Sequence, residues 1–517
     1  MKLPTFLADC ARRYPDHEAV VCGDVRLSFA DLHARTSRLA NALLARGQKI
    51  GDRVALFLPN GVELVEGMTA LAKSGALIVP ISTRLSPAEV QFILEDSQPV
   101  AVFYTPELRA TALAAAKNLD KPLLVVVGAP QAGEVAYEDF VTSGSAAPPP
   151  RLPADKDDLV IGYTSGTTGR PKGAVATHRN IILIHGYMNG IEFGLTKDDR
   201  ILVTTPMAHR TGLGRVGNAL CLGTTVVILP QFDPKAAVDL IEKEKVTVIG
   251  LVPTIARLML PEIEKRPQAC RTVKTMLATG EVFPVEIKRR LAAALPKLRL
   301  FSFFAQTESG FICCLRPEEQ MSHPDSLGRP VPGVELRIVD PDMKDVKPGD
   351  PGEILVHCGA PGEVMLTKGY FNRPDATRDL YVDGWLRTGD VGRMDEDGYV
   401  YFVDRAKDMI VSGGLNIYSK EVELALIAHP AVADAAVIGV PDPMFGEAVC
   451  AYVELRPGAT TDEAALIEHC RAAIASYKKP KYVRFVEALP RTSSGKVMKK
   501  DLRDAARAAL ATETAGA

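Results

Sequence analysis

Residues 163–173 read Tyr-Thr-Ser-Gly-Thr-Thr-Gly-Arg-Pro-Lys-Gly, and these residue types at this spacing can hold a polyphosphate. Gly166 and Gly169 let the backbone turn back, so that successive N–H groups point at one anion. The hydroxyls of Thr164, Ser165, Thr167 and Thr168 add donors, and Lys172 adds a full positive charge. The apolar run Leu159-Val160-Ile161 predicts a buried strand with the loop at its end. The spacing is not that of the common nucleotide loop, because Pro171 stands where its second glycine belongs when counting starts at Gly166. The ordinary alternative is a surface turn, since Ser, Thr and Gly cluster in loops.

Four further strings follow. Residues 303–308 read Phe-Phe-Ala-Gln-Thr-Glu, and 384–390 read Gly-Trp-Leu-Arg-Thr-Gly-Asp. Residues 403–421 run from Val-Asp-Arg-Ala-Lys-Asp through Ser-Gly-Gly-Leu-Asn, and 490–496 read Pro-Arg-Thr-Ser-Ser-Gly-Lys. In type and order the five strings resemble the motifs of the adenylate-forming (AMP-binding) superfamily, in its acyl-CoA synthetase branch. The resemblance covers essentially the whole chain.

The resemblance implies a role for each string. Thr164, Ser165, Gly166, Thr167, Thr168, Gly169 and Lys172 would hold the β- and γ-phosphates of ATP. Glu308 and Thr168 would be the Mg²⁺ ligands, and Thr307 would bond the α-phosphate. Phe304, or its neighbour Phe303, would lie against adenine beside Ala305. Here the chain departs from the family, with Ala305 where glycine is common and Phe304 where tyrosine is common; core packing of the aromatics is the alternative. Asp390 would accept the ribose hydroxyls, Arg405 would add a ribose or phosphate contact, and Lys496 would be the adenylation lysine. Asp404 maps to the family's hinge, and Ser412, Gly413 and Gly414 to the passage for the pantetheine arm of coenzyme A.

An acyl pocket is implied at His209, Arg210, Gly280 and Glu281, with His209 a catalytic candidate beside the substrate carboxylate. Arg210 falls where amino-acid-activating relatives keep an aspartate, and an arginine repels an ammonium group, so an amino-acid substrate is disfavoured. Arg210 either turns to solvent or serves a polar substrate; an ion pair with it is the simplest reading of Glu281.

These groups need two bodies to position them. A chain of 517 residues exceeds one core. Helix-like and strand-like segments alternate: a helix over 29–44 opened by Ser28, strands near 53–58 and 100–104, and a helix over 88–95 opened by Ser86-Pro87. The expected fold is therefore α/β, with a large N-terminal domain of mostly parallel sheets flanked by helices (1–404). A small mobile α+β lid (405–517) carries the lysine. Within that lid, helices are expected over 419–428 and 462–475, with strands over 435–440 and 448–455.

A net charge of -2 gives no sign of a nucleic-acid partner. The nine scattered cysteines fit a reducing cytoplasm, and no apolar run is long enough for a transmembrane segment, the 68–81 stretch being broken by Lys73. The expected partners are a small carboxylic acid, ATP and coenzyme A, with a homodimer as an allowed assembly. The expected reaction is AMP-forming ligation of a fatty or aromatic acid to coenzyme A. A stand-alone adenylation enzyme loading a carrier protein and a luciferase-like oxygenase share the same motifs and stay open; a non-catalytic binding module does not fit retention of Lys172, Glu308, Asp390, Arg405 and Lys496.

Overall fold

Ser28 and Asp31 close a reciprocal capping box at the head of the helix Phe29–Ala45, and Ser86 with Glu89 does the same for Pro87–Ser97. These are the two starts that the sequence signals. Each cap stabilises its helix by about 1 kcal/mol. The apolar stretch at 68–81 resolves into the end of the buried helix Val62–Ser74, a left-handed cap at Gly75 and the strand Leu77–Pro80. Lys73, which interrupts the stretch, is buried and donates to the His33 carbonyl at 2.7 Å and to Ser37 Oγ at 2.8 Å. Among the described residues, no helix is long and apolar enough to cross a membrane.

The computed structural model describes residues 2–164, 171–280, 283–491 and 497–506. The chain forms two compact units: Met1–Leu336 with Leu355–Thr388 and Gly398–Val400, and Arg337–Ile354 with Gly389–Asp397 and Tyr401–Ala517. Asp404 and Arg405 both fall in the second.

The first unit is built on two large sheets. In the nine-stranded sheet, six strands run parallel in the order 299–306, 275–279, 248–251, 200–203, 225–228, 18–22, with antiparallel strands closing both edges. The eight-stranded sheet is parallel from 158–164 through 77–80, 53–57, 101–104 and 123–126 to 135–136, with 172–177 antiparallel at its other side. Helices cover these sheets, and side chains such as Phe29, Leu32, Val54, Leu56 and Phe103 fill the space between. Burying one such side chain contributes roughly 1.5–3 kcal/mol.

In the second unit, a long hairpin (Val432–Asp442 with Gly446–Leu455) is joined by strands 410–412, 415–417 and 482–486. The helices Ser419–Ile427 and Glu463–Ala473 pack on it through Val422, Leu426 and Leu466. The expected helices and hairpin strands lie within three residues of these bounds. The three short strands are additional.

Candidate functional site

In a parallel sheet the carboxyl ends of the strands share one edge, where ligands usually bind. Five sequence-flagged positions of the first unit lie there. His209 and Arg210 follow strand 200–203, Gly280 ends strand 275–279 at φ +98°, and Thr307-Glu308 follow strand 299–306. Gly280 supplies a left-handed backbone that a side chain would strain.

The eight-stranded sheet brings up the other half. Strands Asp158–Thr164 and Lys172–Thr177 form an antiparallel pair whose register sets Thr164 opposite Lys172, at the mouth of the hydroxyl-rich loop. Gly173 is required behind Lys172, because a Cβ there would sit 2.4 Å from Ile161 Cγ2. Thr164 Oγ1 donates to Glu308 Oε1 at 3.3 Å, and Tyr370 OH donates to the same oxygen at 3.0 Å. Lys172 Nζ stands 5.1 Å from the centre of the Tyr370 ring. Burial and the neighbouring Glu308 charge push the Tyr370 phenol up, so it stays a donor. Thr307 packs on Gly162, where a Cβ would come within 3.2 Å of its methyl.

Arg210 turns inward: it is half-buried, and Nη1 donates to the Thr307 carbonyl at 3.3 Å. Of the two readings left open by the sequence, solvent is thus the one the structure does not follow. Burial lowers its guanidinium to about 10 against the opposing pull of Glu308. His209 is the N-cap of the helix Arg210–Leu222, and its carbonyl accepts from Gly212 and Leu213.

The aromatic pair divides. Phe303 packs against Phe311 (centroids 5.1 Å) and Phe193 (5.5 Å), as does Phe301 against Phe193. Phe304 points from the other face of the strand. A β-bulge between Phe304 and Ala305 re-aims the residues that lead to Glu308.

In the second unit, Asp390 is 1 % exposed and pairs with Arg405 at 2.6 Å. Asp404 is buried and accepts from Ser419 Oγ at 2.8 Å and from the N–H groups of Arg405 (2.7 Å) and Lys420 (3.3 Å). Lys499 reaches the same Ser419 Oγ at 2.6 Å and pairs with Glu423 at 2.7 Å. Burial pushes the Asp404 carboxyl up, and Lys499 pulls it back. Ser412 and Leu415 pair across Gly413 and Gly414, both at positive φ, as a two-residue hairpin turn demands.

Ser165, Gly166, Thr167, Thr168, Gly169, Glu281 and Lys496 lie outside the described residues, and with them the expected Glu281–Arg210 pair. One residue missed by sequence reasoning joins the first-unit site, and another stands in the helix that follows His209. Tyr370 stands in a Lys-Gly-Tyr-Phe stretch without a distinctive pattern. Arg215 lines a narrow cavity in the same helix as Arg210. Its signal is a second charge in a helix of mostly small and apolar residues.

Among the described residues, no cluster of three or more His, Cys, Asp or Glu side chains could hold a metal alone. Glu308, a hard oxygen donor fixed by two hydroxyls, fits Mg²⁺ bound through one carboxylate together with substrate phosphates.

The family model described as AMP-binding enzyme matches residues 7–371, and the one described as AMP-binding enzyme C-terminal domain matches 421–496. A feruloyl-CoA synthase from Amycolatopsis sp is 38% identical over 499 residues, covering 95% of this chain and 96% of that protein. The long-chain-fatty-acid–CoA ligase FadD13 of Mycobacterium tuberculosis is 36% identical over 488 residues, 93% of each chain. The structure of o-succinylbenzoate CoA synthetase from Bacillus subtilis with its acyl-adenylate intermediate superposes with a TM-score of 0.86 at 29% identity, covering 97% of this chain and 98% of that one.

Proposed function

Since the chain belongs to the AMP-binding enzyme family and is an AMP-forming acyl-CoA synthetase, we propose that it activates a carboxylic acid with an aliphatic or aromatic body and passes it to coenzyme A. One carboxylate oxygen attacks the α-phosphorus of ATP, and pyrophosphate leaves. The thiolate sulfur of coenzyme A then attacks the acyl carbon, and AMP leaves with the bridging oxygen. The first step is chiefly positioning and charge neutralisation. Thr164 and Lys172 serve the leaving pyrophosphate, and Thr307 orients the α-phosphate. Glu308 holds Mg²⁺, which when bound neutralises phosphate charge. Phe304, on the face away from the Phe193 cluster, stacks on adenine. Asp390 and Arg405 serve the ribose, and the motif assigns the α-phosphate cation to Lys496.

The observation that carries this reading is the meeting of Thr164 and Tyr370 on Glu308, with Lys172 over the Tyr370 ring. Arg210 at the Thr307 carbonyl supports an acid without an α-ammonium group. The test is a panel of acids with Mg-ATP, measuring pyrophosphate with and without coenzyme A. Thioester and AMP in equal amounts are expected. Pyrophosphate without thioester favours a carrier-protein loader, and no pyrophosphate with any acid overturns the reading.

Asp404 is proposed as the backbone pivot between the half-reactions. Asp404→Pro fixes φ there and slows thioester formation by about tenfold or more relative to adenylation, as gating predicts. Asp404→Ala is the control: it removes the same bonds to Ser419 and Lys420, at about 1–3 kcal/mol of stability, while leaving φ free. Equal loss of both half-reactions in Asp404→Pro counts against the pivot.

A further inference from the structure

The helix Arg210–Leu222 carries a second arginine that the reaction above does not use. Arg215 is only 6 % exposed, and its guanidinium borders a narrow cavity together with Thr205, Thr211, Thr279 and Gly250. Gly250 makes the room: a Cβ there would sit 2.9 Å from Arg215 Nε. Among the described residues no carboxylate lies within ion-pairing distance, and the hydrogen-bond partner is the neutral Asn218 Oδ1 at 3.1 Å. Burial alone lowers the guanidinium to about 10. A buried cation facing a cavity without an anion is costly unless something else supplies the anion.

The polar neighbours of Arg215 are neutral. His185 lies on the π-helix Ile182–Met188, a helix form that recurs at functional sites. It packs into a space that Gly214 and Gly217 leave, where a Cβ would approach its ring to 2.6 and 3.3 Å. Burial first, then Arg210 and Arg215, hold this imidazole well below its ordinary value, so it stays neutral beside the two arginines. Asn218 ties the pieces together, donating to the His185 carbonyl at 2.7 Å while accepting from Arg215. Thr211 and Arg215, four residues apart, share one helix face.

Resting on the acid-ligase reading, we propose that the acid carries a second carboxylate, which Arg215 receives at the far end of the acyl pocket with the hydroxyls of Thr205, Thr211 and Thr279. Arginine's planar fork matches a carboxylate. Arg210 marks the reacting end at Thr307, and Arg215 stands five residues on, roughly 7.5 Å further along the helix axis. The substrate class is therefore a medium-length or aryl dicarboxylic acid.

The test compares adipate and pimelate with hexanoate and heptanoate, and 4-carboxyphenylacetate with phenylacetate, as substrates of the full-length enzyme with Mg-ATP and coenzyme A. The wild type should favour the diacids in kcat/KM. Arg215→Met should lose about 10- to 100-fold on them, the range for a hydrogen bond to a charged group, while the monoacids are unchanged or improved. Arg215→Lys should retain part of the preference. Thermal stability separates this from a structural role: Arg215→Met should melt at the same temperature or higher, because it removes a buried unpaired charge. A double-mutant cycle with Glu281→Gln should show no strong coupling to Arg215→Met in melting temperature. A wild type that prefers monoacids, an Arg215→Met variant that loses stability and both acid types together, or strong coupling to Glu281 each overturns the proposal. The first of these leaves the ligase reading intact, whereas absence of pyrophosphate release with every acid overturns both.

Discussion

Glu308→Gln should lower acid-dependent pyrophosphate release by about 10²–10³-fold, the usual scale for removing one charge-stabilising group from an active site. The fold should barely register the change. A glutamine Oε1 can still accept from Thr164 and Tyr370, and the backbone carbonyl of Glu308, which accepts from Thr367 N–H at 2.7 Å, is untouched. What disappears is the negative charge that attracts Mg²⁺, so added Mg²⁺ should recover part of the lost rate. Tyr370→Phe separates charge from support: it removes one 3.0 Å hydrogen bond and keeps the carboxylate, so about a tenfold loss or less is expected. Pyrophosphate kinetics over a Mg²⁺ titration decide the matter. A glutamine variant with wild-type rate and wild-type Mg²⁺ dependence removes Glu308 from the metal role.

Much of the frame was legible because its signals are local. The Ser28–Asp31 and Ser86–Glu89 boxes need only four consecutive residues, and the apolar runs that became parallel strands are bounded by turn residues. The strands 410–412 and 415–417 escaped because three residues cannot display a period. The π-helix at 182–188 escaped for another reason: its hydrogen-bond pattern has no local signature, and its His185 packs on Gly214 and Gly217 from a distant part of the chain.

The site was legible as a list of groups but not as an arrangement. Adjacent Phe303 and Phe304 cannot be ranked from sequence; alternation along the strand and a distant Phe193 pack the first against the aromatic cluster. Tyr370 joins Glu308 only through pairing of strand 369–370 with 172–177. Arg215 acquires its meaning from Gly250, on a strand thirty-five residues later, because a glycine there leaves room for the guanidinium. In each case the deciding fact is a long-range contact that no spacing records.

Lys496→Ala should lower adenylation by about 10²–10³-fold yet leave thioester formation from supplied acyl-AMP and coenzyme A largely unchanged. The cation is required where charge develops on the α-phosphate, and that charge is already gone once the adenylate exists. The neighbouring lysines are the internal controls, because the fold accounts for both. Lys499 is held between Ser419 and Glu423, inside the network that fixes Asp404. Its removal takes one cation from the buried Glu423, which keeps Lys420 at 3.3 Å and the Val437 N–H at 3.1 Å, so Lys499→Ala should cost about 1–3 kcal/mol and weaken both half-reactions through the fold. Lys500 lies at the surface, 4.0 Å from Asp504, and its alanine variant should stay within about 0.5 kcal/mol of the parent. The three variants thus separate chemistry, scaffold and surface along five residues of chain. Equal loss of the two half-reactions in Lys496→Ala, or loss of neither, would withdraw the adenylation role from this lysine even if the protein proves to be a ligase.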